Sequence, residues 1–223
     1  MTVRAAVFLV GVATAGLPAV VHAAEAEASV PAGGERHLAF TILMDGDPVG
    51  HETYALSRSG DRTTIKVHTD SKAHVLFLTF TYRHDRTEVW RDGHIESFVA
   101  DTDDDGTRHR IEARRVGEAL KVVADGKTMS LPGDAVPFTI WGKGILGHAR
   151  LYSIIDFQAY DEMTERLGQE KLTLGGRSIP VEHDRLTGGL VRDLWYDSEG
   201  LLVKAAFTHR GYPVQFVRTQ DSL

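Results

Sequence analysis

The sequence predicts a mainly β protein built on one antiparallel sheet. Two observations carry that reading: glycine turns recur at strand spacing, and the segments between them alternate apolar and polar residues with period two. Asp-Gly stands at Asp45-Gly46, Asp92-Gly93, Asp105-Gly106 and Asp125-Gly126. This pair suits tight hairpins, because both central residues need a positive φ that Gly adopts freely and Asp tolerates. Ser59-Gly60, Gly175-Gly176, Gly188-Gly189, Glu199-Gly200 and Arg210-Gly211 add turns, and from Gly176 onward they fall at the intervals of antiparallel strands. The chain has no Asn, so Asp carries this turn chemistry alone.

In chain order, residues 1–23 read as a secretory signal: Arg4 precedes an apolar run from Val7 to Val21, and Val21-His22-Ala23 offers a small-x-small cleavage site. Gly11, Gly16 and Pro18 interrupt the run, and Glu25 and Glu27 follow it, which disfavours a membrane anchor. No other stretch approaches the roughly 18 apolar residues of a spanning helix. Residues 24–36 are small and polar and read as a disordered lead-in. The single domain then occupies 37–223. Within it Thr63, Ile65 and Val67 alternate with polar neighbours, and Leu201, Val203, Ala205 and Phe207 form a second alternating set. His74–Tyr82 differs, since Leu76, Leu78 and Phe80 would line one face of a strand and Val75 and Phe77 the other. Such a strand needs cover on both sides, from a second layer or an apolar ligand. Residues 132–160 break the rhythm. Pro132, Pro137, Gly142, Gly144 and Gly147 forbid a regular strand, yet Phe138, Ile140, Trp141, Ile145, Leu146, Leu151, Ile154, Ile155 and Phe157 demand burial, so the segment is expected to cross the sheet with one short helix. Trp90-Arg91-Asp92-Gly93 and Trp195–Gly200 form a weak internal echo, equally explained by Trp at a strand end before a turn.

The composition excludes chemistries more firmly than it suggests any. The 223 residues contain 25 Lys+Arg, 31 Asp+Glu and no Cys, a formal charge of −6 that becomes −7 if Arg4 leaves with the signal. An acidic chain lacks the basic face that nucleic acid requires. Without Cys there is no disulfide, thiolate nucleophile, Cys-ligated metal or lipidated anchor. Stability must come from a core, which a chain of this length can build. The destination expected is the periplasm or the exterior.

Several motifs carry candidate chemistry. Asp101, Asp103 and Asp105, followed by Gly106 and Glu112, have the spacing of a calcium loop, in which oxygens wrap a hard cation. Helices should flank such a loop, whereas the flanks here read as strands with Arg108 and Arg110 between; a hairpin with Glu112 paired to arginine is the simpler reading. Gly142–Gly147 matches G-x-G-x-x-G outside any βαβ unit, and Gly126-Lys127-Thr128 imitates the end of a phosphate loop within a hairpin. Ten histidines follow the signal without metal-binding spacing; His68, His74 and His84 would matter only if folding gathered them. His148, Ser153 and Asp156 are the most compact set for nucleophilic catalysis, although no G-x-S-x-G elbow supports them.

The run from Asp193 to Lys204 (DLWYDSEGLLVK) and then Phe207 resembles the C-terminal signature of uncharacterised exported bacterial proteins known only as domains of unknown function. The similarity extends back over Gly175–Thr187, the Trp141 region and the Phe98–Arg114 hairpin. Such proteins often place Asn after the middle Trp, where this chain has Gly142. They are similar in expected architecture to envelope lipoprotein carriers. The resemblance implies a strongly curved sheet, an incomplete barrel, with one or two short helices across its open side; it implies no activity or cofactor. With the two-faced strand and the crossing segment, this favours a non-catalytic periplasmic protein that binds a hydrophobic or lipid-like molecule, with Phe77, Phe80, Trp141 and Trp195 as lining candidates. An envelope assembly partner and a hydrolase or metal-dependent enzyme using a His/Asp set stay open as alternatives. The sequence sets no oligomeric state.

Overall fold

The computed structural model describes residues 33–75 and 77–222. The expected signal and most of the lead-in lie outside the described residues. The first strands are β1 (Glu35–Met44), β2 (Asp47–Ser59), β3 (Arg62–Val75), β4 (Leu78–Arg91), β5 (His94–Asp104), β6 (Thr107–Val116), β7 (Ala119–Ala124) and β8 (Lys127–Pro132). After a crossing segment come β9 (Arg150–Tyr152), β10 (Ala159–Leu174), β11 (Arg177–Gly188), β12 (Arg192–Tyr196), β13 (Leu202–His209) and β14 (Tyr212–Ser222). Glu35 and Arg36 thus already belong to the sheet, and Arg36 is buried with an ion pair to Glu199 at 2.7 Å.

All fourteen strands form one sheet in the order β8 to β1, then β14 back to β9. The ladder is antiparallel throughout. Two meanders therefore meet at the β1–β14 pair, and the edges β8 and β9 do not pair with each other. Local turn chemistry explains why neighbours in sequence are neighbours in space. At Asp45, Asp92, Asp105 and Asp125 φ lies between 48° and 54°, and the following Gly lies between 74° and 90°. Positive φ at both positions matches the right-handed twist of hairpin strands.

Curvature has local causes. Register shifts interrupt β1–β2 at Ile42/Leu43, β4–β5 at Val89/Trp90 and β1–β14 at Ala39/Phe40, and bulges bend strands. Gly50 on β2 sits where a Cβ would come within 2.3 Å of the Asp70 carbonyl oxygen, so its lack of a side chain lets β3 close in. The inner face collects the alternating apolar positions: Leu38, Phe40, Leu56, Ile65, Val67, Ile95, Phe98, Ile111, Leu120 and Val122 form one buried cluster.

Residues 133–149, together with residues 153–158 beyond the short β9, form a crossing segment over the open side. Phe138 N–H donates to the Tyr152 carbonyl at 2.7 Å, and Tyr152 N–H donates to Val136 at 2.9 Å, so the crossing chain caps the β9 edge. It then dips inward, and Trp141 O accepts from Leu202 N–H at 3.0 Å. In place of the expected short helices, this stretch holds a single three-residue 3₁₀ turn, Lys143–Ile145, because its glycines leave too few consecutive helix formers. Among the described residues no helix is long and apolar enough to cross a membrane.

Two sequence expectations need correction. His74–Tyr82 is a hairpin, in which Val75 pairs with Leu78 and Phe77 stands 90% exposed at the tip. The turn carries no Gly, Asp or Pro to announce it. On β13 the even alternation fails, since a register shift opposite Trp195/Tyr196 sends Val203 to the outer face with Trp195 and Val181, while Leu201, Leu202 and Ala205 stay in the main core. The Trp90/Trp195 echo ends there as well: Trp90 points inward and Trp195 outward.

Candidate functional site

Register places a polar rung across the inner face. Glu52, Thr69, His84 and Thr102 are successive cross-strand partners on β2, β3, β4 and β5. All four are buried. The next row toward the Trp90 end is Tyr54, Val67, Arg86 and Ala100, and the one after it Leu56, Ile65, Glu88 and Phe98. Inward polar residues at period two thus stack Glu52, Tyr54, His84, Arg86 and Glu88 in a region otherwise apolar.

Their contacts form two linked groups. Glu52 accepts from the Tyr54 hydroxyl and from the Thr69 hydroxyl, the latter at 2.7 Å. Arg86 donates from Nε to Glu88 at 2.6 Å and from Nη2 to the Thr139 hydroxyl at 3.2 Å. Glu88 also accepts from Thr139 at 2.7 Å, from Trp90 Nε1 at 2.8 Å and from Trp141 Nε1 at 3.2 Å. One buried carboxylate therefore ties the crossing segment to β4. Burial alone would lower the Arg86 pKa, but Glu88, Tyr54 and Glu52 outweigh it and hold the guanidinium above its ordinary value. Burial, then the Glu52 charge, keeps Tyr54 well above the usual phenol range. His84 behaves oppositely: burial, then Arg86, pushes its imidazole down to about 3, so it is neutral at physiological pH. Its Nδ1 lies 2.7 Å from the Thr102 hydroxyl, and its Nε2 has no partner.

This polar row floors a cavity of about 430 Å³ inside the curved sheet. Ile42, Phe80, Phe207, Val214 and Phe216 line it from the sheet, and Phe138, Ile140, Ile154 and Ile155 from the crossing segment. The cavity reaches the end of the sheet that carries the 45–46, 105–106, 189–191 and 210–211 turns, its mouth. There Arg210 spans from the β13–β14 turn to Asp104 at 3.6 Å and Asp105 at 3.3 Å, over the Phe80 ring at 5.2 Å. Arg192 lies over the Phe207 ring at 3.9 Å.

Of the four expected lining residues, Phe80 lines the cavity. Trp141 lies below the floor, edge-on to Trp90 with ring centroids 6.3 Å apart. Phe77 is at the exposed hairpin tip, and Trp195 is on the outer face, stacked on His183 at 4.2 Å. His148, Ser153 and Asp156 do not form a catalytic set: Ser153 Oγ accepts the backbone N–H groups of Ile155 at 3.1 Å and Asp156 at 3.3 Å, the Asp156 carboxylate accepts the Gln158 N–H at 3.2 Å, and burial lowers the His148 pKa against the opposing charge of Asp134. The calcium-like run is a hairpin. Asp101 pairs with Arg110 at 2.7 Å, Asp103 accepts the Gly106 N–H at 2.8 Å, Asp105 accepts the Thr81 N–H at 2.8 Å, and Glu112 pairs with Arg110 at 2.8 Å. Among the described residues no group of three or more His, Asp or Glu could hold a metal ion. His68 faces out to Asp85 at 2.6 Å, His74 bonds Thr79 across the hairpin, and only His84 turns inward.

Residues 40–219 match the model of a domain of unknown function, DUF6134. The chain belongs to this family. The match runs from the inward Phe40 on β1 through β14, so the DUF6134 domain contains the whole cavity and its floor. No curated protein is significantly similar to the chain. Among solved structures, the crystal structure of a beta-barrel-like protein of domain of unknown function DUF1849 from Brucella abortus is similar, with a TM-score of 0.62 over 86% of this chain and 98% of that one at 11% identity. At that identity the likeness shows a shared fold. The residues missed from sequence were Glu52, Tyr54, Arg86 and Glu88, and His84 was named only with His68 and His74, which the structure does not gather with it; the signal was polar side chains at inward positions of otherwise alternating strands.

Proposed function

We propose that this DUF6134 domain is a periplasmic, non-catalytic protein that binds or carries a hydrophobic or lipid-like molecule in its half-barrel. The observation that carries the reading is the cavity of about 430 Å³ with aliphatic and aromatic walls, a size and lining typical of small-molecule sites. The signal-like segment 1–23 supports export. Native mass spectrometry of the protein purified from its own host tests the proposal: a co-purified apolar adduct is expected, together with uptake of the fluorescent probe N-phenyl-1-naphthylamine once that adduct is extracted. A chain that carries no adduct and takes up no probe overturns it.

One observation favours a second reading, an envelope assembly partner. Phe77 is 90% exposed and Leu78 52% exposed at the tip of the β3–β4 hairpin. A protein co-purified under the same conditions, lost in Phe77→Ser, supports this reading; retention of the partner by that variant removes it.

A further inference from the structure

Charge bookkeeping inside the cavity points to a ligand class. Two of the three arginines in its lining, Arg86 and Arg210, are ion-paired to carboxylates, and the third, Arg192, lies over the Phe207 ring within the field of one. Arg86 has Glu88 and feels Glu52. Arg210 has Asp104 and Asp105. Arg192 feels buried Glu162. His84 is neutral, and burial, then Arg210, lowers the His209 pKa. No cationic excess awaits a carboxylate or phosphate head, and an ion brought into such a place without a partner is strongly disfavoured.

The floor nevertheless offers hydrogen bonds. His84 is 1% exposed and its Nε2 has no partner; two of the three Arg86 nitrogens are engaged with Glu88 and Thr139. A hydrocarbon end pressed against this rung would strand those groups away from water. An uncharged hydroxyl, which both donates and accepts, would pair with them. We therefore propose, resting on the ligand-carrier reading above, that the cavity selects uncharged single-chain amphiphiles and holds them head-inward on the Glu52–Thr69–His84 part of the rung, with the chain leading out toward Phe80 and the mouth.

The test uses residues 24–223 and four probes of one chain length, dodecanol, dodecanoate, dodecylammonium and dodecyl methyl ether, competing against N-phenyl-1-naphthylamine. Dodecanol is expected to displace the dye at a concentration roughly tenfold lower than either ion, and about 3- to 10-fold lower than the ether, which cannot donate. His84→Phe should shrink the alcohol's advantage over the ether to about 2-fold. If that variant does not fold, the wild-type imidazole reports instead: the ¹⁵N resonance of His84 Nε2 should shift with dodecanol and stay still with the ether. Orientation follows from fluorescence of Trp90 and Trp141 below the floor. Quenching by 2-bromododecanol that exceeds quenching by 12-bromododecanol is expected, and the reverse order overturns head-inward binding. Tightest binding by dodecanoate overturns the uncharged class. Failure of all four to displace a dye that does bind overturns this inference alone, whereas failure of the dye itself to bind overturns the carrier reading beneath it.

Discussion

The interior of the half-barrel divides into two regions built by the same strands. Toward the 92–93 turn it is packed: Trp90 meets Trp141, and Phe98 meets Phe157 at 5.4 Å and 73°. Toward the 45–46 and 105–106 turns it is hollow. Strand periodicity does not distinguish them, because Ile42, Phe80 and Phe216 beside the cavity alternate as regularly as Leu56, Ile65 and Phe98 in the core. The crossing segment decides. Trp141, Ile145, Leu146 and Phe157 fill the lower region, while Phe138, Ile140, Ile154 and Ile155 stop short and become a wall. A polar row separates the two, so a cavity in this fold is made by where the plug is anchored rather than by any property of the strands.

The largest expected effect breaks that anchor. Glu88 is fully buried and accepts from Arg86, Thr139, Trp90 and Trp141. Glu88→Ala leaves the Arg86 charge uncompensated, and removing one partner of a buried pair costs about 3–5 kcal/mol. Urea unfolding should show that loss, and hydrogen exchange should show faster exchange of the Phe138 and Tyr152 amides. A loss below about 1 kcal/mol would mean that apolar packing alone holds the plug, and the contrast between the regions would then lie in shape and not in the polar row.

A smaller effect sharpens the role of the floor. The folded His84 pKa of about 3 lies below the unfolded value near 6.5. Above pH 6.5 neither state is protonated and the group is silent. As pH falls below 6.5 the unfolded chain takes a proton that the folded chain refuses, so stability declines until about pH 3. Between pH 7 and pH 5 this amounts to about 2 kcal/mol. The wild type should lose about that much more than His84→Phe over the same interval in urea titrations. Equal losses would mean that His84 gains solvent or a partner, and that the floor is not dry.

Much of the sheet was legible because its causes are local. Asp-Gly pairs fix φ within two residues, and alternation at Thr63, Ile65 and Val67 fixes a face, so hairpins and inner positions can be read directly. The crossing path of 132–160 was legible for the same reason, since prolines and glycines punctuate an apolar run. The site was not. Trp141 and Trp195 are large and apolar, yet which side they take depends on a register shift against Leu202–Lys204 that no turn residue marks and on the hydrogen bond from Trp141 to Glu88, 53 residues away. Phe77 was misplaced because the chain between Val75 and Leu78 has none of the residues that mark turns. The floor was invisible for a further reason: His84 reads like its exposed neighbours until the strand register sets it beside Thr69 and Thr102.

The smallest expected effect concerns the mouth, the one part of the hollow region that differs from the packed end by being bridged through exposed charge. Arg210 and its partners Asp104 and Asp105 are each roughly a third to a half exposed. Ion pairs of this kind contribute about 0.2–1 kcal/mol, so Arg210→Gln should change unfolding stability by no more than about 1 kcal/mol. Its consequence should be kinetic. The guanidinium lies across the route past Phe80, and neutralising it should speed release of N-phenyl-1-naphthylamine at low ionic strength while barely changing the equilibrium. Salt at 1 M shortens the Debye length to about 3 Å, which should bring the wild-type release rate up to that of the variant. Stopped-flow dilution at low and high salt measures both. Equal rates at low salt would show that the mouth offers no barrier, and the hollow region would then be set apart from the packed one by its floor alone.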